Sequence, residues 1–165
     1  SGHVNHPGVY EVEFGTTLGQ LIESAGGAEG ELKAVMLGGA AGSFVGPAQL
    51  DMPLSFEGAR AAGTSLGSGV VMVFNETVDF GPVITRLAEF FRHESCGQCV
   101  PCRIGTVRQH EVLVASGGRP VASQVALLGE IDQAMKDASI CGLGHTAATA
   151  VRSAIALGLV NGESA

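Results

Sequence analysis

The chain has 165 residues, of which 45% are hydrophobic, and a formal net charge of −7 at pH 7. This length suits one domain or two small ones, and the apolar fraction indicates a folded chain rather than a disordered one. The acidic balance argues against nucleic acid or an anionic membrane surface as the main partner. No apolar run approaches the roughly 20 residues that span a bilayer, so no direct membrane insertion is expected.

Residues 1–78 predict a small α+β domain. The stretch Val9–Phe14, VYEVEF, alternates apolar and acidic side chains, which is typical of a strand. Thr17 and Gln20 fit a capping box at the start of a short helix. Two further apolar runs have the length of buried strands, at Leu32–Leu37 and Val70–Phe74. A strand, a helix and strands that return over it predict a fold of the β-grasp kind.

Residues 79–165 predict a second domain, which is all-α. Apolar side chains recur at helical spacing along most of this half, and the connections between the periodic segments are short. Four helices joined in this way are typical of a four-helix bundle. The expected helices are one carrying the stripe from Val83 to Phe91, one at Cys102–Ser116, one after Ser123, and one after Cys141 that closes at Gly158.

The four cysteines fall in a three-plus-one pattern. Cys96, Cys99 and Cys102 are spaced three apart in HESCGQCVPCRIG, and Cys141 lies 39 residues further on in SICGLGH. A [4Fe–4S] cluster needs four Cys ligands, and three of them commonly come from one such loop. Zinc sites with four cysteines usually show two separated C-x-x-C pairs, and cysteines can also be simply buried or disulfide-linked. The spacing favours a cluster over zinc or a structural role.

Other polar residues near the cysteines carry weaker predictions. Arg103 directly follows a candidate ligand, so its guanidinium would offset the negative charge of a thiolate-bound cluster unless it is only a solvated side chain. His145 is a candidate ligand only if the metal is zinc. No nucleophile, base and acid stand together in the sequence, and its glycines match neither a P-loop nor a dinucleotide fingerprint. No catalytic residue is predicted in this chain.

These motifs resemble a known family. ESCGQCVPCRIGT followed by SICGLG is similar to the iron–sulfur region of the NADH- and FMN-binding flavoprotein subunits. That family includes the large flavoprotein subunit of complex I and the diaphorase subunits of NAD-linked hydrogenases and formate dehydrogenases. The stretches SGHVNHPGVYEVEFGTTLGQLI and LDMPLSFEGARAAGTSLGSGVVMVFNE resemble its SLBB-type β-grasp domain. The resemblance implies that Cys96, Cys99, Cys102 and Cys141 bind one [4Fe–4S] cluster.

The resemblance also implies a role in electron transfer within an NAD(H)-dependent oxidoreductase. The cluster would relay single electrons between FMN and further iron–sulfur centres on partner subunits. The family's flavin and NADH domain lies upstream and its glycine-rich loops do not occur here, so a C-terminal portion without the NADH site and most of the FMN site is expected. Gly142 and Leu143 are expected near the flavin. The implied location is cytoplasmic, and peripheral to the membrane in the case of complex I.

Two alternatives remain at this point. The stretch CRIGTVRQHEVL favours the soluble formate dehydrogenase or hydrogenase diaphorases over complex I. There, Ile104 and Arg108 replace the acidic residue and the Trp that complex I versions often carry, and the chain has no Trp at all. A hypothesis of a different class is a non-redox binding module that a zinc ion stabilises.

Overall fold

The structure, a computed structural model, describes residues 1–160. Its backbone contacts divide the chain into two compact units, Ser1–Val78 and Asp79–Ala165, each of which is described by itself. The chain combines helices with one small antiparallel sheet, so the α+β class predicted from the sequence is confirmed. Among residues 1–160, no helix is both long enough and apolar enough to cross a membrane.

The first unit is built around a three-stranded antiparallel sheet with β1 in its centre. Val35 of β1 is paired with Val45 on one side and with Val73 on the other, and all three are buried. The stretch between the two apolar runs contains a strand, a short 3-10 turn at Pro47–Gln49 and a helix. The elements are α1 (Leu18–Ser24), β1 (Leu32–Leu37), β2 (Ser43–Val45), α2 (Phe56–Ala61) and β3 (Val71–Asn75).

Helix α1 starts at the capping box that the sequence predicts. The Thr17 Oγ1 accepts a hydrogen bond from the Gln20 N–H at 3.2 Å, and the Gln20 Oε1 accepts one from the Thr17 N–H at 2.9 Å. The reciprocal pair satisfies two backbone donors that the helix itself leaves unpaired. The apolar side of α1 then joins the core of this unit, which comprises Val4, Leu18, Ile22, Ala25, Val35, Leu37, Val45, Met52, Leu54 and Val73.

The strand predicted at Val9–Phe14 is wrong. This segment forms no strand, and Val9 is fully exposed. Residues 1–3 lie beside β3 instead: the His3 N–H donates to the Val73 oxygen at 2.9 Å, and the Val73 N–H donates to the Ser1 oxygen at 3.0 Å. Because that edge of the sheet is already hydrogen-bonded, the alternating residues of VYEVEF have no free strand there to pair with.

Within residues 79–160 the second unit is helical. Its first helix is capped by Asp79, whose Oδ1 accepts a hydrogen bond from the Gly81 N–H at 3.0 Å and one from Arg119 Nη2 at 2.7 Å. Packing of the helices buries Ile84, Leu113, Leu128, Met135 and Val151 to 1% exposure or less. The helices are α3 (Phe80–Glu94), α4 (Val100–Ala115), α5 (Ala122–Ala138), α6 (Gly142–Thr146) and α7 (Thr149–Ala156).

The single fourth helix predicted after Cys141 is therefore wrong, since two short helices, α6 and α7, occupy that stretch. Gln109 of α4, which is completely buried, donates from Nε2 to the Ala147 carbonyl oxygen at 3.0 Å. Ala147 is the residue at which α6 ends, so this hydrogen bond ties α4 to the turn between α6 and α7.

Candidate metal centre

The four cysteines lie at the ends of helices in the second unit. Cys96 and Cys99 belong to the connection between α3 and α4, and Cys102 lies in the first turn of α4 after Pro101. Cys141 is the residue that precedes α6. All four are free thiols: Cys102 is buried, Cys99 is half-buried, and Cys96 and Cys141 are exposed. The group therefore has one side in the protein interior and one side open to solvent.

The segment before Cys141 meets the cysteine loop at Cys99. Hydrogen bonding from the backbone of Ile140 is the main cause of a lowered pKa of the Cys99 thiol. The Ser139 Oγ is buried and also favours the Cys99 thiolate, although its geometry falls short of a hydrogen bond. These contacts connect residues about 40 positions apart in sequence, so the remote segment and the cysteine loop form one site.

The other three thiols all act electrostatically on Cys102. Burial raises the pKa of the Cys102 thiol, and negative charge on Cys99, Cys141 and Cys96 raises it further. A hydrogen bond with Ser95, whose Oγ lies 3.3 Å from the Cys102 Sγ, acts in the opposite direction. Since like charges at close range resist joint ionisation, four thiolates at this place need cations between them.

Ser95 and Ser139 are the site residues that sequence reasoning missed. Ser95 is the helix-end residue after α3, and its Oγ also accepts a hydrogen bond from the Gly97 N–H at 3.3 Å. Ser139 follows α5 and holds its hydroxyl beside Cys99. Both serines stand next to or two residues before a candidate ligand in ESC and SIC, which is the only signal that the sequence offered.

Arg103 folds back over the cysteine loop. Its Nη1 donates to the Gly97 carbonyl oxygen at 3.0 Å, and Gly97 itself has a φ of 73°, which favours glycine. The guanidinium therefore closes the turn between Cys96 and Cys99. This position is compatible with the predicted charge compensation, which stays a prediction.

Helix α6 comes very close to the start of α4 at Gly144. A Cβ added to Gly144 would lie 2.5 Å from the Ser139 Cβ and 3.1 Å from the Cys102 Cβ, so a side chain does not fit. A Cβ added to exposed Gly142 would meet nothing within 4 Å. Gly142 and half-buried Leu143 begin α6 beside Cys141, and their expected place near a flavin stays a prediction.

The candidate donors at this site are four cysteine thiols and, for a zinc ion, His145. Within residues 1–160 no three His, Cys, Asp or Glu side chains are gathered closely enough to hold a single metal ion. His145, the extra candidate for zinc, has its Nε2 2.9 Å from the Ser139 carbonyl oxygen. Four cysteine thiolates are the ligand set of a [4Fe–4S] cluster, in which each cysteine binds a different iron. The residues present therefore fit a four-cysteine iron–sulfur cluster.

Comparisons with known proteins agree with this donor set. The family profile of the NADH-ubiquinone oxidoreductase-F iron-sulfur binding region matches residues 82–157, a range that contains all four cysteines. The profile of the SLBB domain matches residues 1–39. The chain is thus a protein that combines an SLBB domain with an iron–sulfur binding region.

Individual relatives specify the family. The F-type subunit of NADH-quinone oxidoreductase from Mycobacterium tuberculosis is 38% identical over 158 residues, covering 94% of this chain and 36% of the relative. Its counterpart from Rickettsia rickettsii is 36% identical over 160 residues, covering 94% of this chain and 38% of the relative. The chain is similar to these F-type subunits along nearly its whole length and spans about a third of theirs. The resemblance predicted from the sequence is confirmed.

Solved structures show the same fold. An NAD+-reducing [NiFe]-hydrogenase in its H2-reduced state superimposes with a TM-score of 0.84 at 34% identity, covering 99% of this chain and 29% of the hydrogenase chain. The air-oxidised state of an NAD+-reducing [NiFe]-hydrogenase gives a TM-score of 0.83 at 36% identity, with 94% and 27% covered. The similar proteins therefore include parts of two kinds of NAD-linked oxidoreductase.

Proposed function

We propose that this chain is an electron-relay part of an NAD(H)-dependent oxidoreductase, in which Cys96, Cys99, Cys102 and Cys141 hold one [4Fe–4S] cluster. The observation that carries the proposal is the close approach of α6, the helix that directly follows Cys141, to Cys102 of the C-x-x-C-x-x-C loop at Gly144, inside the matched iron–sulfur region. A [4Fe–4S] cluster bound there supplies transfer of one electron at a time.

The second unit is proposed as the holder of this cluster. Helices α3 to α5, together with the pair α6 and α7, take the place of the predicted four-helix bundle. Buried Cys102 faces the interior, where low polarity would influence the reduction potential of a bound cluster. Exposed Cys96 and Cys141 lie on the side by which electrons would enter or leave.

The electron partners are proposed from the relatives. FMN and NAD(H) would be bound by other parts of a larger enzyme, and further iron–sulfur centres by partner subunits. The comparisons support an electron-transfer role common to both kinds of relative, and the preference for a formate dehydrogenase or hydrogenase diaphorase over complex I rests on CRIGTVRQHEVL alone. A cytoplasmic location, peripheral to a membrane in the case of complex I, with no nucleic-acid partner and no membrane insertion, completes the proposal.

Anaerobic reconstitution with iron and sulfide tests the proposal. The chain is expected to bind about four irons and four sulfides and to give the EPR signal of a reduced [4Fe–4S] cluster. Cys102→Ser should lose most of the iron and the signal, because a hydroxyl is a poor substitute for a thiolate ligand. His145→Gln should retain both, since the cluster needs no histidine.

The competing hypothesis, a zinc-stabilised binding module, predicts the reverse. It requires one zinc per chain, no sulfide and no EPR signal, and a loss of metal in His145→Gln if that residue is a ligand. Finding stoichiometric zinc, or iron without sulfide, would therefore refute the electron-relay proposal.

A further inference from the structure

We propose that the hydroxyls of Ser95 and Ser139 set the reduction potential of the group held by the four cysteines, by donating hydrogen bonds at Cys102 and Cys99. This inference rests on the proposed function, since it presupposes a redox-active cluster. Neither serine is a candidate ligand. Both are positioning residues that act through the sulfur atoms.

The direction of the Ser95 hydrogen bond follows from its surroundings. The Ser95 Oγ accepts from the Gly97 N–H at 3.3 Å and lies 3.3 Å from the Cys102 Sγ. A ligating Cys102 is a thiolate, which has no proton to give. The Ser95 hydroxyl must then be the donor, and the sulfur the acceptor. With Cys102 only 5% exposed, this bond lies in a poorly hydrated place, where it is stronger than in water.

Ser139 has a buried hydroxyl that makes no hydrogen bond in the described part of the chain. Its Oγ finds no hydrogen-bond partner among residues 1–160, although such a buried group normally has one. The hydroxyl lies against Gly144, and the Cys102 side chain lies against the same glycine, so the geometry places Ser139 at the cysteine group. The contribution of Ser139 to the lowered pKa of the Cys99 thiol agrees with this place. A cysteine sulfur that carries the negative charge of a bound cluster is the acceptor that we assign to this hydroxyl. The unpartnered state of Ser139 thus points to the cysteine group.

Hydrogen bonds to ligand sulfurs act on the potential in a known direction. One-electron reduction adds negative charge to the group, so a donated hydrogen bond stabilises the reduced state more than the oxidised state. Removing a donor should lower the potential. A change of about threefold to tenfold in the one-electron reduction equilibrium, or about 30 to 60 mV, is expected for each hydroxyl.

The test is an EPR-monitored redox titration of the anaerobically reconstituted full chain. Ser95→Ala and Ser139→Ala should each shift the midpoint to a more negative value with iron content unchanged, and Ser95→Thr, which keeps the hydroxyl, should restore it. Ser116→Ala is the matched control, because this serine at the other end of α4 donates only to the Leu113 carbonyl oxygen. It should leave the midpoint where it is.

The outcomes separate this inference from the function on which it rests. A wild-type chain that assembles no [4Fe–4S] cluster overturns the proposed function. A cluster whose midpoint is the same in wild type, Ser95→Ala and Ser139→Ala overturns the inference and leaves the function standing. If Ser95→Ala fails to assemble the cluster, the midpoint of Ser139→Ala decides, and an unchanged value there refutes the inference.

Discussion

Gly144 lies where α6 approaches the first turn of α4, and its missing side chain is what allows this approach. A Cβ at this position would lie 3.1 Å from the Cys102 Cβ and still closer to Ser139. Gly144 thus helps to position the candidate ligands because it has no side chain. Helix propensity alone would favour alanine over glycine there by about 1 kcal/mol, so propensity and packing oppose each other.

Packing should outweigh propensity in the variant Gly144→Ala. Overpacking of a close contact costs about 1 to 3 kcal/mol, and the helix must move away from Cys102 to relieve it. We expect a lower unfolding temperature and a lower iron content after reconstitution, measured by circular dichroism and by iron analysis.

The matched control is Gly142→Ala, two residues earlier in the same helix. A Cβ there meets nothing within 4 Å, so this variant should be as stable as the wild type or slightly more so, with full iron content. Equal behaviour of the two alanine variants would show that the close approach at Gly144 has no effect on the site.

At the scale of elements, features that depend on residues close in sequence could be predicted, whereas features that depend on contacts between distant residues could not. The capping box at Thr17 and the strand Leu32–Leu37 depend on residues close in sequence, and both are present. The strand expected at Val9–Phe14 fails because residues 1–3 occupy the edge of β3, which the alternation of VYEVEF cannot reveal. The contact of α4 with the turn between α6 and α7 likewise depends on Gln109, which is 38 positions away from its acceptor Ala147.

In the candidate site, too, some residues could be identified from local sequence and others only from the packed structure. The spacing of Cys96, Cys99 and Cys102 is a local pattern, and it identified the loop together with the remote Cys141. The parts played by Ser95 and Ser139 depend on the direction in which each hydroxyl points after the helices have packed. Serine is common in turns for reasons that involve no ligand, so its presence in ESC and SIC did not indicate a role.

The start of α3 yields a prediction about pH. The guanidinium of Arg119, with the Gly81 N–H, holds the pKa of Asp79 below its ordinary value of 3.8. A lowered pKa in the folded state means that the ionised cap stabilises the helix above the unfolded pKa and loses this effect as the pH falls through the folded value. Asp79→Ala should therefore unfold at a lower temperature than the wild type at pH 7, with the gap closing below about pH 4.

Thermal unfolding followed by circular dichroism between pH 7 and pH 3 measures this gap. Asp51→Ala, at an exposed aspartate of the first unit, controls for the general effect of removing a negative charge. A gap between Asp79→Ala and the wild type that is constant over the whole pH range would contradict the assignment of the effect to the ionised cap.

At the scale of the whole chain, the two units differ in what stabilises them. The first unit has a core of its own between α1 and the sheet, with Leu18, Val35 and Val73 at 1% exposure or less. The candidate cysteines all lie in the second unit, where they join the α3–α4 connection to the segment before α6. Because a bound metal group stabilises only the state that assembles its ligands, its free energy of binding should be added to the stability of the second unit alone.

Removal of the iron should therefore loosen one unit and spare the other. After anaerobic chelation, hydrogen exchange followed by mass spectrometry should show faster exchange in residues 95–105 and 139–147, because the negative charges of the four thiols repel one another once the bound group is gone. Peptides covering β1, Leu32–Leu37, should exchange at the same rate with and without iron, because their hydrogen bonds run to β2 and β3. Equal acceleration in β1 and in the cysteine segments would mean that the chain unfolds as one cooperative body, and the assignment of the cluster's stabilising effect to the helical unit would fail.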